Sequence, residues 1–209
     1  MHENVLGLKE QFENLDQQHE ASTQGMWVFL ATEVLFFGGM FLAYALYRRT
    51  YSEDFIAMSQ QFSWIFGTIN TAVLLTSSFT MALAVRAAQE GKNRLLSTYL
   101  SLTLFLGVAF LTIKGFEYAD DFRKHLLFGQ VPGHMQILLF LYYVMTGVHA
   151  LHLIIGVCIL AVMIRKARQK RFSQTYYSPI EVTGLYWHFV DIIWVFLYPL
   201  LYLIGKPTL

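Results

Sequence analysis

The sequence predicts an all-α integral membrane protein, a single bundle of five transmembrane helices. Three observations carry that prediction. The 209 residues are 56% hydrophobic and 14% charged, well under the ~25% charge usual for a soluble domain. Mean hydropathy is +0.45. The apolar residues fall in five long runs, each reaching the roughly 20 residues that a hydrocarbon layer demands: Gly25–Tyr47, Ser63–Ala88, Leu95–Tyr118, Ile137–Ile164 and Glu181–Ile204.

Residues 1–24 are a polar arm, expected to be a surface or partly disordered segment with at most a short amphipathic helix using Val5, Leu8, Phe12 and Leu15. The arm lacks the basic stretch and short apolar core of a cleaved signal peptide. Residues 25–209 read as one transmembrane domain without internal repeats, joined by RRTYSEDFIAMSQQF, the turn QEGKNR, ADDFRKHLLFGQVPG and RKARQKRFSQTYYSP. Pro132-Gly133 marks a turn before the fourth span. A net charge of +1 gives no sign of nucleic-acid binding. The single cysteine, Cys158, excludes an intrachain disulfide.

The first span, GMWVFLATEVLFFGGMFLAYALY, carries Glu33 about seven residues in, or ~10 Å along a helix. A carboxylate there costs on the order of 2.5–3.5 kcal/mol on insertion scales and needs shielding by protein or water. Gly39 and Ala43 form a small-xxx-small pair suited to close helix approach. The second span lines up Gly67, Asn70, Thr71, Ser77 and Ser78, and the third Thr103, Gly107, Phe110, Lys114 and Glu117. The fourth places Tyr142, Met145, His149, His152 and Gly156 on one side. The fifth holds Gly184, Trp187, His188, Asp191, Trp194, Tyr198 and Tyr202, with Pro199 expected to kink its far half.

Nine Lys and Arg residues lie on the side of the amino-terminal arm against six on the other, which favours a cytoplasmic amino terminus and an external carboxyl terminus. With that orientation, helical rise places Glu33, His152, His188 and Asp191 in one polar layer of the cytoplasmic half, with Asn70 just above it. Lys114 and Glu117 read as an ion pair at the external rim, and Trp27, Trp64, Trp187 and Tyr47 as interfacial anchors. The basic fourth loop suits topology and anionic head groups. The faces around Gly39/Ala43 and Gly67/Asn70 are expected to meet a partner.

Imidazoles and carboxylates on facing helices do build metal centres in bundles. The Glu-x-x-His pair diagnostic of di-iron sites is absent, however; the pairs here are His149-x-x-His152 and His188-x-x-Asp191. Interhelical hydrogen bonding is the expected role of these histidines. A proton relay needs a wet file to both surfaces, whereas Phe36, Phe37, Phe41, Trp194, Val195 and Phe196 close the path above the layer. A structural carboxylate or local proton buffer is therefore expected at Glu33.

The segments GMWVFLATEVLFFGGMF, INTAVLLTSS, QEGKNR, GFEYAD, TGVHALHLIIG and YWHFVDIIWVFLYPLLYL together resemble subunit III of the haem-copper oxidases, the cytochrome c oxidase family, over nearly the whole chain after the arm. The resemblance implies a subunit with no haem or metal of its own. It would sit beside catalytic subunit I, with subunit II, in a complex that reduces oxygen to water and pumps protons; haem and copper belong to those partners. Membrane phospholipid is the implied bound molecule, and a larger respiratory supercomplex is compatible with the resemblance. Glu33 matches a carbodiimide-reactive glutamate facing a lipid cleft. Asn70 and Glu117 match their helix motifs, His149 and His152 the paired histidines, and Glu181, His188 and Asp191 the terminal-helix motif. Arg165 falls near the place of a lipid-phosphate arginine.

The family's long form has two more helices before the one matching Gly25–Tyr47, so this chain resembles a short, bacterial five-helix form whose cleft lacks one wall of its own. The alternatives are the equivalent subunit of a quinol oxidase, an accessory chain of a nitric oxide reductase, or, from another class, a metal-dependent membrane enzyme using His149, His152, His188 and Asp191. A transporter would be expected to show repeats and broken helices.

Overall fold

The computed structural model describes residues 9–124 and 133–204, the side chain of His134 excepted. Val5, Leu8 and Pro132 lie outside those residues. Six α-helices follow in order: α1 (Leu15–Thr50), α2 (Ser52–Ser59), α3 (Trp64–Gln89), α4 (Asn93–Arg123), α5 (Gly133–Arg168) and α6 (Ser178–Tyr198), the last continued by a π-helical turn, Pro199–Leu203. Five of them are long and apolar enough to cross a membrane.

Helices α1, α4 and α5 outrun their apolar runs at both ends, because polar residues beyond the hydrocarbon still cap and extend a helix, while α3 matches its run to within one residue. The arm is the clearest correction. Asn14 accepts from the Gln17 amide at 2.8 Å, an N-cap that starts α1 at Leu15, ten residues before the apolar run. The second half of the arm is thus one helix with the first span. The first loop holds α2, which the sequence reading missed; it buries Phe55 and Met58.

The α3–α4 turn follows from local chemistry. Gly91 adopts φ 69°, the Lys92 amide reaches back to the Ala87 carbonyl, and the Gly91 amide to Ala88. This is a Schellman cap, where glycine avoids the left-handed penalty. The same pattern closes α5 with Lys170 at φ 54°. At the far end of α6, Pro199 has no amide for the carbonyl one turn back, and the ladder loosens into the π-helical turn rather than a simple kink.

Helices α3, α4, α5 and α6 form a ring in which each packs on its neighbours; α1 leans on α5 and α6, and α2 on α5. Within its most apolar window α6 is 56% buried, against 17% for α1. Helix α6 is therefore the axle of the bundle. Helix α1 presents a thin buried stripe, Met26, Leu30, Phe37 and Tyr44, while Trp27, Val34, Leu35 and Leu42 stay exposed on its other faces.

Trp187 holds the ring together and is not the interfacial anchor expected of it. It is fully buried and donates from Nε1 to Ser77 Oγ at 3.0 Å. Two glycines make its socket: a Cβ on Gly107 would lie 2.8 Å from Trp187 Cη2, and one on Gly156 2.9 Å from Cζ3. Trp27, Trp64 and Tyr47, by contrast, are exposed. The expected Gly67/Asn70 partner face is also corrected. A Cβ on Gly67 would meet Tyr198 at 2.8 Å and Asn70 is fully buried, so that face is internal. Gly39 has nothing within 4 Å of its Cβ position and remains on an open face.

Gly107→Val should lower thermal stability by about 1–3 kcal/mol through overpacking against Trp187. Gly39→Val should leave the isolated chain within about 0.5 kcal/mol, as an open surface position does. Thermal unfolding of the two variants in detergent checks the contrast.

Candidate functional site

The carboxylate that the first span buries has its partner. Helix α1 turns Glu33 into its seam with α5, where Glu33 Oε2 lies 3.2 Å from His152 Nε2, with the two side chains 18% and 14% exposed. The His152 ring is fixed from behind. Its Nδ1 lies 2.9 Å from the Val148 carbonyl one turn earlier, and a carbonyl only accepts, so Nδ1 carries a proton. Phe37 packs edge-on against the same ring at 5.4 Å. On α6, Tyr186 donates to the His152 carbonyl at 2.9 Å.

Proton bookkeeping then fixes what this dyad can be. With Nδ1 protonated, a hydrogen bond between Nε2 and Oε2 needs one further proton, carried by either atom. Both states keep the hydrogen bond. The site can hold a proton without opening.

The remaining residues of the expected polar layer do not gather around this dyad. His188 Nδ1 pairs with Ser78 Oγ at 2.7 Å across the α3–α6 seam. Asp191, 3% exposed, faces Ser78 in the same seam, but neither of its oxygens makes a well-formed hydrogen bond among the described residues. The same lack of a hydrogen bond among the described residues holds for both amide atoms of Asn70 and both ring nitrogens of His149. His149 is wedged between Phe110 and Trp194, with ring centroids 5.6 and 5.2 Å away. Spacing along each helix gave depth but not rotation, and rotation sends these side chains into different seams. Glu181 pairs with His19 at 3.5 Å at the start of α6, and Arg165 is exposed in the last turn of α5. The described residues contain no group of three or more His, Cys, Asp or Glu that could hold a metal ion. His152 faces Glu33 and His188 faces Ser78, in separate seams.

Lys114 and Glu117 require the largest correction. They are not a rim pair. Their side chains are 3% and 1% exposed, with Nζ 3.1 Å from Glu117 Oε2. The cluster also takes in Asp121, Tyr142 and Tyr202. Asp121 went unnoticed in the sequence reading, although its i+4 spacing from Glu117 places both carboxylates on one face of α4. Four aromatic rings, those of Tyr118, Tyr142, Trp194 and Tyr202, lie 4.9–5.4 Å from the ammonium. Such rings offer a cation their negative faces, which offsets part of the lost hydration. Outside the spans, the turn at Glu90 is ordinary: hydrogen bonds from Lys92 and Arg86 hold its carboxyl below the usual range.

Removing one member of the dyad separates its two roles. His152→Leu, which leaves Glu33 buried without its partner, should cost about 1–3 kcal/mol. Glu33→Gln should cost less, because its amide N–H still donates to Nε2. Thermal unfolding of the two variants side by side checks the order.

The chain is similar to known proteins over most of its length. The family model described as cytochrome c oxidase subunit III matches residues 16–206. The cytochrome c oxidase subunit 3 of Thermostichus vulcanus is 33% identical over 183 residues, covering 87% of each chain. That of Synechocystis sp. is 31% identical over 181 residues, 86% of this chain and 74% of its own. A heme-copper oxidase subunit I+III of Aeropyrum pernix is 32% identical over 185 residues, 86% of this chain and 22% of that longer one.

Proposed function

The chain belongs to the cytochrome c oxidase subunit III family, and from that premise we propose that it serves its oxidase as a non-catalytic subunit. In this reading it braces catalytic subunit I and keeps the lipid and proton-uptake surroundings of that subunit in order. The observation that carries the proposal is the Glu33–His152 dyad, 3.2 Å across the α1–α5 seam and still partly open at 18% and 14% exposure. A hydrogen-bonded pair of this kind at a helix seam suits a supporting role.

The partners proposed are subunits I and II, which would carry the haem and copper. The relative whose chain is described as subunit I+III joins the two in one polypeptide, which supports contact between subunit I and this chain. The open face of α1 around Gly39, apolar and outside the ring of α3–α6, is the surface proposed for that contact or for phospholipid, while Ala43 packs partly against the core. Asn70, Glu117, His149, Glu181, His188 and Asp191 are assigned to holding the helices in register, and Arg165 to a lipid head group. The lysines and arginines concentrated in the last turn of α5 and just beyond it favour an amino terminus on the cytoplasmic side and a carboxyl terminus outside, in a bacterial inner membrane.

Carbodiimide labelling tests the dyad's part. The reagent attacks protonated, partly buried carboxyls, so the assembled oxidase should label on this chain and Glu33→Gln should abolish the labelling while the complex still forms. Undiminished labelling in that variant would assign the reactive carboxyl elsewhere. Purification tests the role. Haem and copper absorbance should accompany the chain in the complex and be absent from the chain alone, and stoichiometric metal in the isolated chain would overturn the reading.

A further inference from the structure

At the end of the bundle where α4 stops and α5 begins, five buried side chains share too few protons for the contacts they make. Lys114 Nζ has three protons and reaches Glu117 Oε2 at 3.1 Å, Tyr142 Oη at 3.1 Å and Tyr202 Oη. Tyr202 gives its one proton to Glu117 Oε1. Tyr142 Oη stands 3.1 Å from Glu117 Oε1 and 3.1 Å from Asp121 Oδ2. A hydroxyl has a single proton and serves only one of these carboxyl oxygens.

Charge leads to the same deficit. If both carboxyls are ionised, the cluster holds two anions against one ammonium, in residues 1–3% exposed. A buried charge without a partner neutralises itself rather than persist. Among the described residues, none supplies a second buried cation. On α4, Lys124 is 46% exposed and already paired with Asp120 at 2.6 Å, Arg123 is exposed, and Tyr118 is engaged with Thr146 of α5. Helix α5 adds Tyr143 and His149, and α6 adds Trp194 and Tyr198, none of them a fixed cation. Phe62 covers Tyr142, stacked at 4.1 Å.

We propose that this cluster is a proton-binding latch, with the extra proton on Asp121 as a carboxylic acid. Asp121 Oδ2–H then donates to Tyr142 Oη, Tyr142 donates to Glu117 Oε1, and Lys114 neutralises Glu117. Each of these contacts then has its proton, the longer Tyr142–Tyr202 approach at 3.4 Å excepted, and the formal charge is zero. The chain of bonds ties α4 to α5 through Tyr142 and to the π-helical turn through Tyr202. The sign of the pH dependence follows. The latch is closed while Asp121 is protonated, and it weakens as rising pH removes that proton and leaves two adjacent anions.

Infrared difference spectroscopy of the purified complex during a pH titration, in water and in deuterium oxide, tests the assignment. The expected result is a carboxylic-acid carbonyl band that shifts in deuterium oxide, fades at alkaline pH, persists in Glu33→Gln and is absent in Asp121→Asn. Lys114→Met should add a second acid band, because Glu117 then takes up a proton in place of its counter-ion. A band unaffected by Asp121→Asn, or Lys114→Met with no added band, overturns the proposal. Should those variants fail to assemble, Tyr142→Phe keeps the stack on Phe62 but removes the acid's acceptor. A shifted Asp121 band there supports the latch, and an unshifted one refutes it.

Discussion

An ionisable side chain taken out of water must face another group able to share its charge or its proton, and that requirement governs how the helices of this chain are turned. Glu33 commits α1 to the seam with α5, because His152 stands there 3.2 Å away. Lys114, Glu117 and Asp121 commit one face of α4 to Tyr142 of α5 and Tyr202 beyond α6. Desolvating such groups costs several kcal/mol per ion even after relaxation. A rotation of either helix would leave one of them alone, so the polar contacts select the packing more sharply than the apolar ones can. Apolar surface gains little by choosing protein over lipid, both being equally oily.

Close packing does the rest, and it centres on α6. Trp187 needs the absence of two side chains, at Gly107 and Gly156, to sit among α3, α4 and α5 with its indole bonded to Ser77. Trp194, two turns later, also bonds across the bundle, donating to Thr71 at 3.1 Å and packing on Phe110 at 4.7 Å. Large rings from the central helix thus fill notches cut in its neighbours. Helix α1 has no comparable anchor. Its stripe of Met26, Leu30, Phe37 and Tyr44 holds it to the ring along one line, and most of its circumference is left for lipid or for a partner helix. This asymmetry agrees with a chain that works as one part of a larger membrane complex.

The two polar sites differ in kind. The Glu33–His152 pair lies at a seam, partly open, and one shared proton satisfies it in either of two arrangements. The Lys114 cluster is closed, shielded by aromatic rings, and its bonds cross three elements. Proton exchange is chemically reasonable at the first. At the second, any gain or loss of a proton changes the packing of the helix ends, which suits a structural fastening rather than a passage.

The sequence by itself determined the class of protein, the five spans to within their polar extensions, and the need for a partner to Glu33. Hydrophobic length and residue chemistry decide these locally. It did not supply the start of α1 at Leu15, where the Asn14 cap outweighed the polar composition, nor α2, whose short run only makes sense against α5. Rotation and tilt were beyond it as well. Trp187 reads as an anchor and Lys114–Glu117 as a rim pair when depth is counted along one helix, yet both prove interior. His188 and Asp191 share the expected depth with Glu33 but turn to another seam. Only the tertiary structure decided these, because which side chains meet across two helices depends on azimuth and crossing geometry, and those are set by all the contacts of the bundle together.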